Sequence, residues 1–95
     1  MNIIWSKEAL DDLQAVYTYI AEDNQKIAID VVQTLVQFVN TQVGIFPRSG
    51  KSGRVVGTYE LLVPKLPYIV PYRIVHKRID ILRVYHTRRL WPTQF

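Results

Sequence analysis

The chain has no cysteine among its 95 residues. A disulfide framework and a thiolate metal site are therefore both excluded. The absence fits a reducing compartment. Histidine is nearly as scarce, with only His76 and His86. Neither stands at a ligand spacing from carboxylates, so no metal and no cofactor are expected. No apolar run approaches the roughly 20 residues that a bilayer-crossing helix needs. The chain starts Asn2-Ile3-Ile4-Trp5-Ser6-Lys7, with no basic segment ahead of a long apolar stretch. No signal peptide and no membrane partner are expected, and a cytoplasmic location follows. Residues 1–95 read as one small domain with a thin core.

Acidic residues are scarce in one half only. Residues 1–47 carry two basic and six acidic side chains, a balance of −4. Residues 48–95 carry ten basic side chains against Glu60 and Asp80, a balance of +8. A basic half of this kind meets something anionic, either nucleic acid or an acidic protein segment. A solvated basic surface is the plainer alternative.

What is present has a clear order. Residues 2–5 form a short apolar strand. Ser6 is a good helix cap, with Glu8 in the first turn where the helix dipole favours it. Ala9, Leu13, Val16, Tyr17 and Ile20 keep helical spacing to about Glu22, with Asp11, Asp12, Gln14 and Thr18 on the opposite face. Asp23-Asn24 interrupts and caps a second helix over about 24–42. Its stripe is Ile27, Val31, Leu35, Phe38 and Gln42, joined by Ala28, Val32 and Val39. The pair is a helical hairpin. Residues 44–53 read as a loop, rich in glycine, serine and basic residues. It superficially resembles a phosphate-binding loop, but Lys51-Ser52 runs into Gly53 and a strand rather than into a helix, so that reading fails. Strands are predicted over about 54–63, 67–76 and 79–86, joined as an antiparallel meander. Pro71 lies inside the second, where a missing N–H predicts a bulge or an unpaired position. The fold class is α+β, in the order β-α-α-β-β-β, with two helices packed on a small antiparallel sheet.

The last strand ends in Tyr85-His86-Thr87-Arg88-Arg89, which puts a proton carrier and cations at a sheet rim. With the turn placed at Arg78-Ile79, Pro71 opposes His86. Arg73, Val75, Leu82, Val84 and His86 then share the open face, and Val70, Tyr72, Ile74, Ile81 and Tyr85 face the helices. A one-residue slip would exchange the faces of one strand. A histidine beside arginines suits cleavage of RNA by its own 2′-hydroxyl, which needs proton transfer and a cation for the phosphorane. The plainer readings are a locally bonded His86, an Arg73 paired with Glu60 or Asp80, and a bland turn residue at His76. Trp91 and Phe95 either stack on bases or anchor the tail.

Ile4-Trp5-Ser6-Lys7-Glu8-Ala9-Leu10-Asp11-Asp12-Leu13 opens the chain. Pro47, Gly53-Arg54, Gly57-Thr58-Tyr59-Glu60-Leu61 and Pro67-Tyr68-Ile69-Val70-Pro71-Tyr72-Arg73 follow. Ile81-Leu82-Arg83-Val84-Tyr85-His86-Thr87-Arg88-Arg89 closes it. Together these resemble the RelE/ParE superfamily of toxins from type II toxin–antitoxin modules, over nearly the whole chain. The resemblance implies a cytoplasmic toxin silenced by a cognate antitoxin that wraps it with an acidic, partly disordered segment. Operator DNA would be met only through that antitoxin. RelE-like members cut mRNA on the ribosome, and ParE-like members poison DNA gyrase. The ribonuclease reading would make His86 and Arg73 catalytic. Arg54, Arg83, Arg88 and Arg89 are the residues expected to bind target or phosphate. The strand positions that are basic in ribonuclease members are Glu60, Leu62 and Ile69 here. The resemblance therefore leans to the ParE-like side and to gyrase. A ribosome-dependent mRNA endonuclease is the alternative, and a non-toxic nucleic-acid-binding or interaction module is the third.

Overall fold

A computed structural model describes all of residues 1–95. Strand β1 spans Asn2–Trp5, helix α1 Lys7–Ala21 and helix α2 Gln25–Ile45. Strands β2 (Lys51–Ser52), β3 (Tyr59–Leu62), β4 (Tyr68–Val75), β5 (Arg78–Ile81) and β6 (Tyr85–His86) follow. The sheet order is β1-β5-β4-β3-β2, with β6 pairing β4. No helix is long and apolar enough to cross a membrane.

Both helix starts are capped as read. The Ser6 hydroxyl accepts from the Ala9 N–H at 3.0 Å, and the Asn24 side chain accepts from the Ile27 N–H at 3.0 Å. Such caps satisfy N–H groups that have no partner inside the helix. Helix α2 runs three residues past the expected end at 42, to Ile45. Its buried stripe is Ala28, Leu35, Val39 and Val43, while Ile27 is half exposed. Leu35, Val39 and Val43 of that stripe meet Ala9 and Leu13 of α1 and Leu61, Val70, Tyr72, Ile79 and Ile81 of the sheet in one core.

The sheet is mixed rather than purely antiparallel. Strands β3, β4 and β5 form the expected meander, but β1 lies parallel to β5, with Ile3 opposite Ile79 and Trp5 opposite Ile81. The two helices between β1 and the meander give the chain enough length to return in parallel. The strand expected from residue 54 starts only at Tyr59, and the segment read as a loop contributes β2. Residues 53–58 are instead a tight turn. The Gly53 N–H donates to Thr58 O at 2.8 Å, and the Thr58 hydroxyl donates to Val55 O at 2.6 Å. Thr58 oxygens occupy the space a Cβ at Gly53 would need.

The β4–β5 register also differs from the expectation. Tyr72 opposes Ile81, Arg73 opposes Asp80 and Val75 opposes Arg78. The turn is therefore His76-Lys77, not Arg78-Ile79. This moves the pairing by an even number of residues, so Tyr72, Ile74 and Ile81 keep the helix-facing side.

Candidate functional site

The expected strand 79–86 is broken at residues 82–84, and helix α1 breaks it. The Ser6 N–H donates to Ile81 O at 3.0 Å, and the Ser6 hydroxyl donates to Leu82 O at 2.9 Å. Asp12 then takes the Val84 N–H at 2.9 Å and grips Arg83 with both oxygens, at 2.8 and 3.0 Å. The Leu82 N–H still donates to Pro71 O at 3.0 Å, but the Leu82 carbonyl and the Val84 N–H are taken by Ser6 and Asp12 and do not pair with β4. Leu82, Arg83 and Val84 stand against only Val70 and Pro71, so the bulge expected at Pro71 forms in the strand facing it. Arg83 was expected to bind target or phosphate, but its guanidinium is committed to Asp12. The hydrogen bonds it donates to Asp12 raise its pKa further.

The bulge changes which residues share a face. Beyond it, His86 opposes Tyr68 and Tyr85 opposes Ile69. The expected pairing of His86 with Pro71 does not occur. Val84 and His86 turn to the helix side, and Tyr85 turns to the open face. Arg73 stays on the open face, opposite Asp80, whose two oxygens are taken by Arg78 at 2.7 and 3.1 Å. Five strand positions separate Arg73 from Tyr68, about 16 Å at ~3.3 Å each. The structure therefore does not bring Arg73 and His86 together.

His86 stands instead at a cleft of about 240 Å³ between α1 and the end of the sheet, with Tyr19, Tyr68 and Arg89. Its ring meets the Tyr68 edge at 5.8 Å, and its Nδ1 accepts the Arg88 N–H at 3.2 Å. That bond leaves Nε2 as the nitrogen free to act. Burial, and then Tyr19, push the Tyr68 hydroxyl above its ordinary pKa. Arg88 and Arg89 are exposed on the tail that follows.

The open face is organised around a carboxylate. The Glu60 side chain is 1% exposed, beside Arg54 at 3.3 Å, and accepts the Arg54 N–H at 2.6 Å. Arg54 lies over the Trp91 ring at 4.1 Å, and Trp91 meets Tyr85 edge-on at 5.0 Å. Arg89 covers Tyr85 at 4.5 Å. Glu60 Oε1 and Trp91 Nε1 are buried without a partner, both on residues that touch Arg54. Trp91 thus anchors the tail, and Arg54 has an acid and a ring for partners before any ligand arrives. Asp12, Tyr19 and Tyr68 line the His86 cleft, although the sequence pattern does not single them out. The helical pattern alone puts Asp12 on the face away from the core. Its spacing, three after Ala9 and four before Val16, was the available signal that it flanks the buried stripe.

The same architecture occurs in known proteins. Residues 3–91 match the family described as ParE toxin of type II toxin-antitoxin system, parDE. Y4kP of Sinorhizobium fredii (strain NBRC 101917 / NGR234), a toxin candidate by its own description, is 37% identical over 91 residues, 96% of this chain and 93% of that protein. A structure titled as a chromosomal ParDE TA system from P. aeruginosa superimposes with a TM-score of 0.82 at 28% identity, covering 90% of this chain and 95% of that one. A YoeB/ParE toxin from Agrobacterium tumefaciens shares the fold, with a TM-score of 0.59 at 13% identity over 90% of this chain and 98% of that one. Fold and relatives together define a toxin of the RelE/ParE superfamily, from a type II toxin–antitoxin system. Within that class the chain belongs to the ParE toxin family, so a cognate antitoxin is its partner.

Proposed function

We propose that this toxin acts by binding rather than by catalysis, with DNA gyrase as its target. The observation that carries the reading is Glu60, a buried carboxylate on the open face, where a nuclease of this fold would need positive charge. A phosphorane gathers negative charge, and an anion beside it opposes that step. Two further facts support the reading. Arg73 and His86 stand on opposite faces, and Arg83 is held by Asp12. The antitoxin segment that silences the toxin is acidic, matched to the basic half of the chain.

Supercoiling by purified gyrase, titrated with purified toxin, tests this directly, beside a DNA-damage reporter in induced cells. Inhibition together with reporter induction is expected. Growth arrest with gyrase untouched would refute it. The ribonuclease reading has one observation in its favour, the free Nε2 of exposed His86 beside Arg88. Primer extension on ribosome-bound message separates the two. New 5′ ends that vanish in His86→Ala would favour the nuclease.

A further inference from the structure

The two-residue turn between β4 and β5 holds a costly conformation. His76 has φ 56°, in the left-handed region where glycine sits without strain and other residues do not. It lines a cleft of about 540 Å³ on the side of the sheet that Tyr59 and Ile74 share. The volume falls within the roughly 300–1,000 Å³ typical of small-ligand sites. Tyr59 and Ile74, both half-buried, face the cleft. Tyr59 stacks at 5.4 Å on Tyr72, which fixes its ring. Tyr72 is itself tied to the loop after α2, donating to Pro47 O at 2.9 Å and accepting the Gly50 N–H at 3.0 Å. That loop carries Arg48 to the rim.

Three donors meet there. Arg48, Ser52 and His76 all line the cleft, and none has an ion pair. No carboxylate lines it. Glu60 belongs to the other face, and Asp80 is occupied by Arg78. An acid-free cleft with a guanidinium, an imidazole and a hydroxyl around a fixed aromatic ring suits a phosphate joined to a flat base. The guanidinium takes two phosphate oxygens at once, and the ring takes a flat base. We propose that this cleft, built by Arg48, Ser52, Tyr59 and His76, binds a nucleotide through its phosphate and its base. The phosphate comes either from a free nucleotide or from a nucleic-acid strand. The site lies apart from the His86 cleft and from Glu60, and does not depend on the gyrase reading.

Amide spectra of the purified chain, titrated with AMP, ATP, oligo-dT and oligo-rU, test it. Shifts should centre on residues 48, 52, 58–59 and 76. Arg48→Ala and His76→Gly should each weaken binding about tenfold, the scale of one lost charge-assisted contact. His76→Gly suits the turn, so it separates loss of the imidazole from loss of the fold. Lys65→Ala removes the same charge at the distant β3–β4 turn and should change affinity less than about twofold. Binding that is tighter for the oligonucleotides, with a steep salt dependence, identifies a strand. Equal or tighter binding of ATP identifies a free nucleotide. Absence of shifts at millimolar nucleotide would overturn the proposal. So would unchanged affinity in both cleft variants, or inorganic phosphate binding as tightly as AMP.

Discussion

Asp12 serves three donor atoms at once: two nitrogens of Arg83 and the Val84 N–H. Its side chain is 13% exposed and that of Arg83 is 25% exposed, so water could replace little of what it supplies. Asp12→Ala should therefore lower stability by about 3 kcal/mol, the low end for removing one partner of a buried pair. Urea unfolding checks this, and a loss below ~1 kcal/mol would show the pair to be ornamental. Tyr72 makes a second prediction. Burial holds its hydroxyl above the ordinary 10.0, although the Gly50 N–H pulls the other way. The folded state thus keeps a proton that the unfolded chain releases. This group leaves stability level below about pH 10 and erodes it as pH rises further. In Tyr72→Phe the loss above pH 10 should be shallower, even though the variant starts weaker at neutral pH. Unfolding curves from pH 8 to 11 decide it. An unchanged slope would mean that another group carries the effect.

Elements in this fold are held at their ends as much as along their lengths. Ser6 caps α1, and its hydroxyl also donates to Leu82 O, where β5 gives out. A cap alone is worth about 1 kcal/mol. Ser6→Ala also strands the Leu82 carbonyl, so a loss of about 2 kcal/mol is expected. Hydrogen exchange should then show the amides of 82–86 opening before those of α2. Equal opening would show that the cap and the strand break are independent. Helix existence and capping were legible because their signals are local: Ser6, Asn24, and apolar residues every three or four positions. The register of β5 and the break before β6 were not legible. An alternating apolar run cannot say that Asp12, some 70 positions earlier, will claim the Val84 N–H. For the same reason Arg73 and His86 read as sharing one face, although the break turns His86 to the other side, and Arg83 reads as free although Asp12 holds it.

The whole molecule is electrically polar. The helical hairpin carries five exposed acids, Glu8, Asp11, Glu22, Asp23 and Asp30, while residues 48–95 carry ten of the twelve basic residues. Four of those ten form the ion pairs or ring contacts of Arg54, Arg78, Arg83 and Arg89. The remainder set the field that an approaching partner meets. If the antitoxin segment is acidic, as proposed, its association should slow as salt rises, since the Debye length shrinks from about 10 Å at 0.1 M to about 3 Å at 1 M. Removing exposed charge in Arg88→Ala should reduce the association rate several-fold at low salt and much less at high salt. Stopped-flow mixing at the two salt levels checks this. A salt-independent rate would place the antitoxin contact away from the basic residues.

The sequence by itself determined the two helices, the meander, the basic half and the superfamily, because each follows from local spacing or from ordered short motifs. Only the tertiary structure decided which arginines are free, which face His86 takes, and that β1 closes the sheet in parallel. The broken strand end depends on one carboxylate, Asp12, and one hydroxyl, Ser6, reaching across the chain to backbone that strand pairing would otherwise have used, and the arginines left free are those that Asp12, Glu60 and Asp80 do not pair.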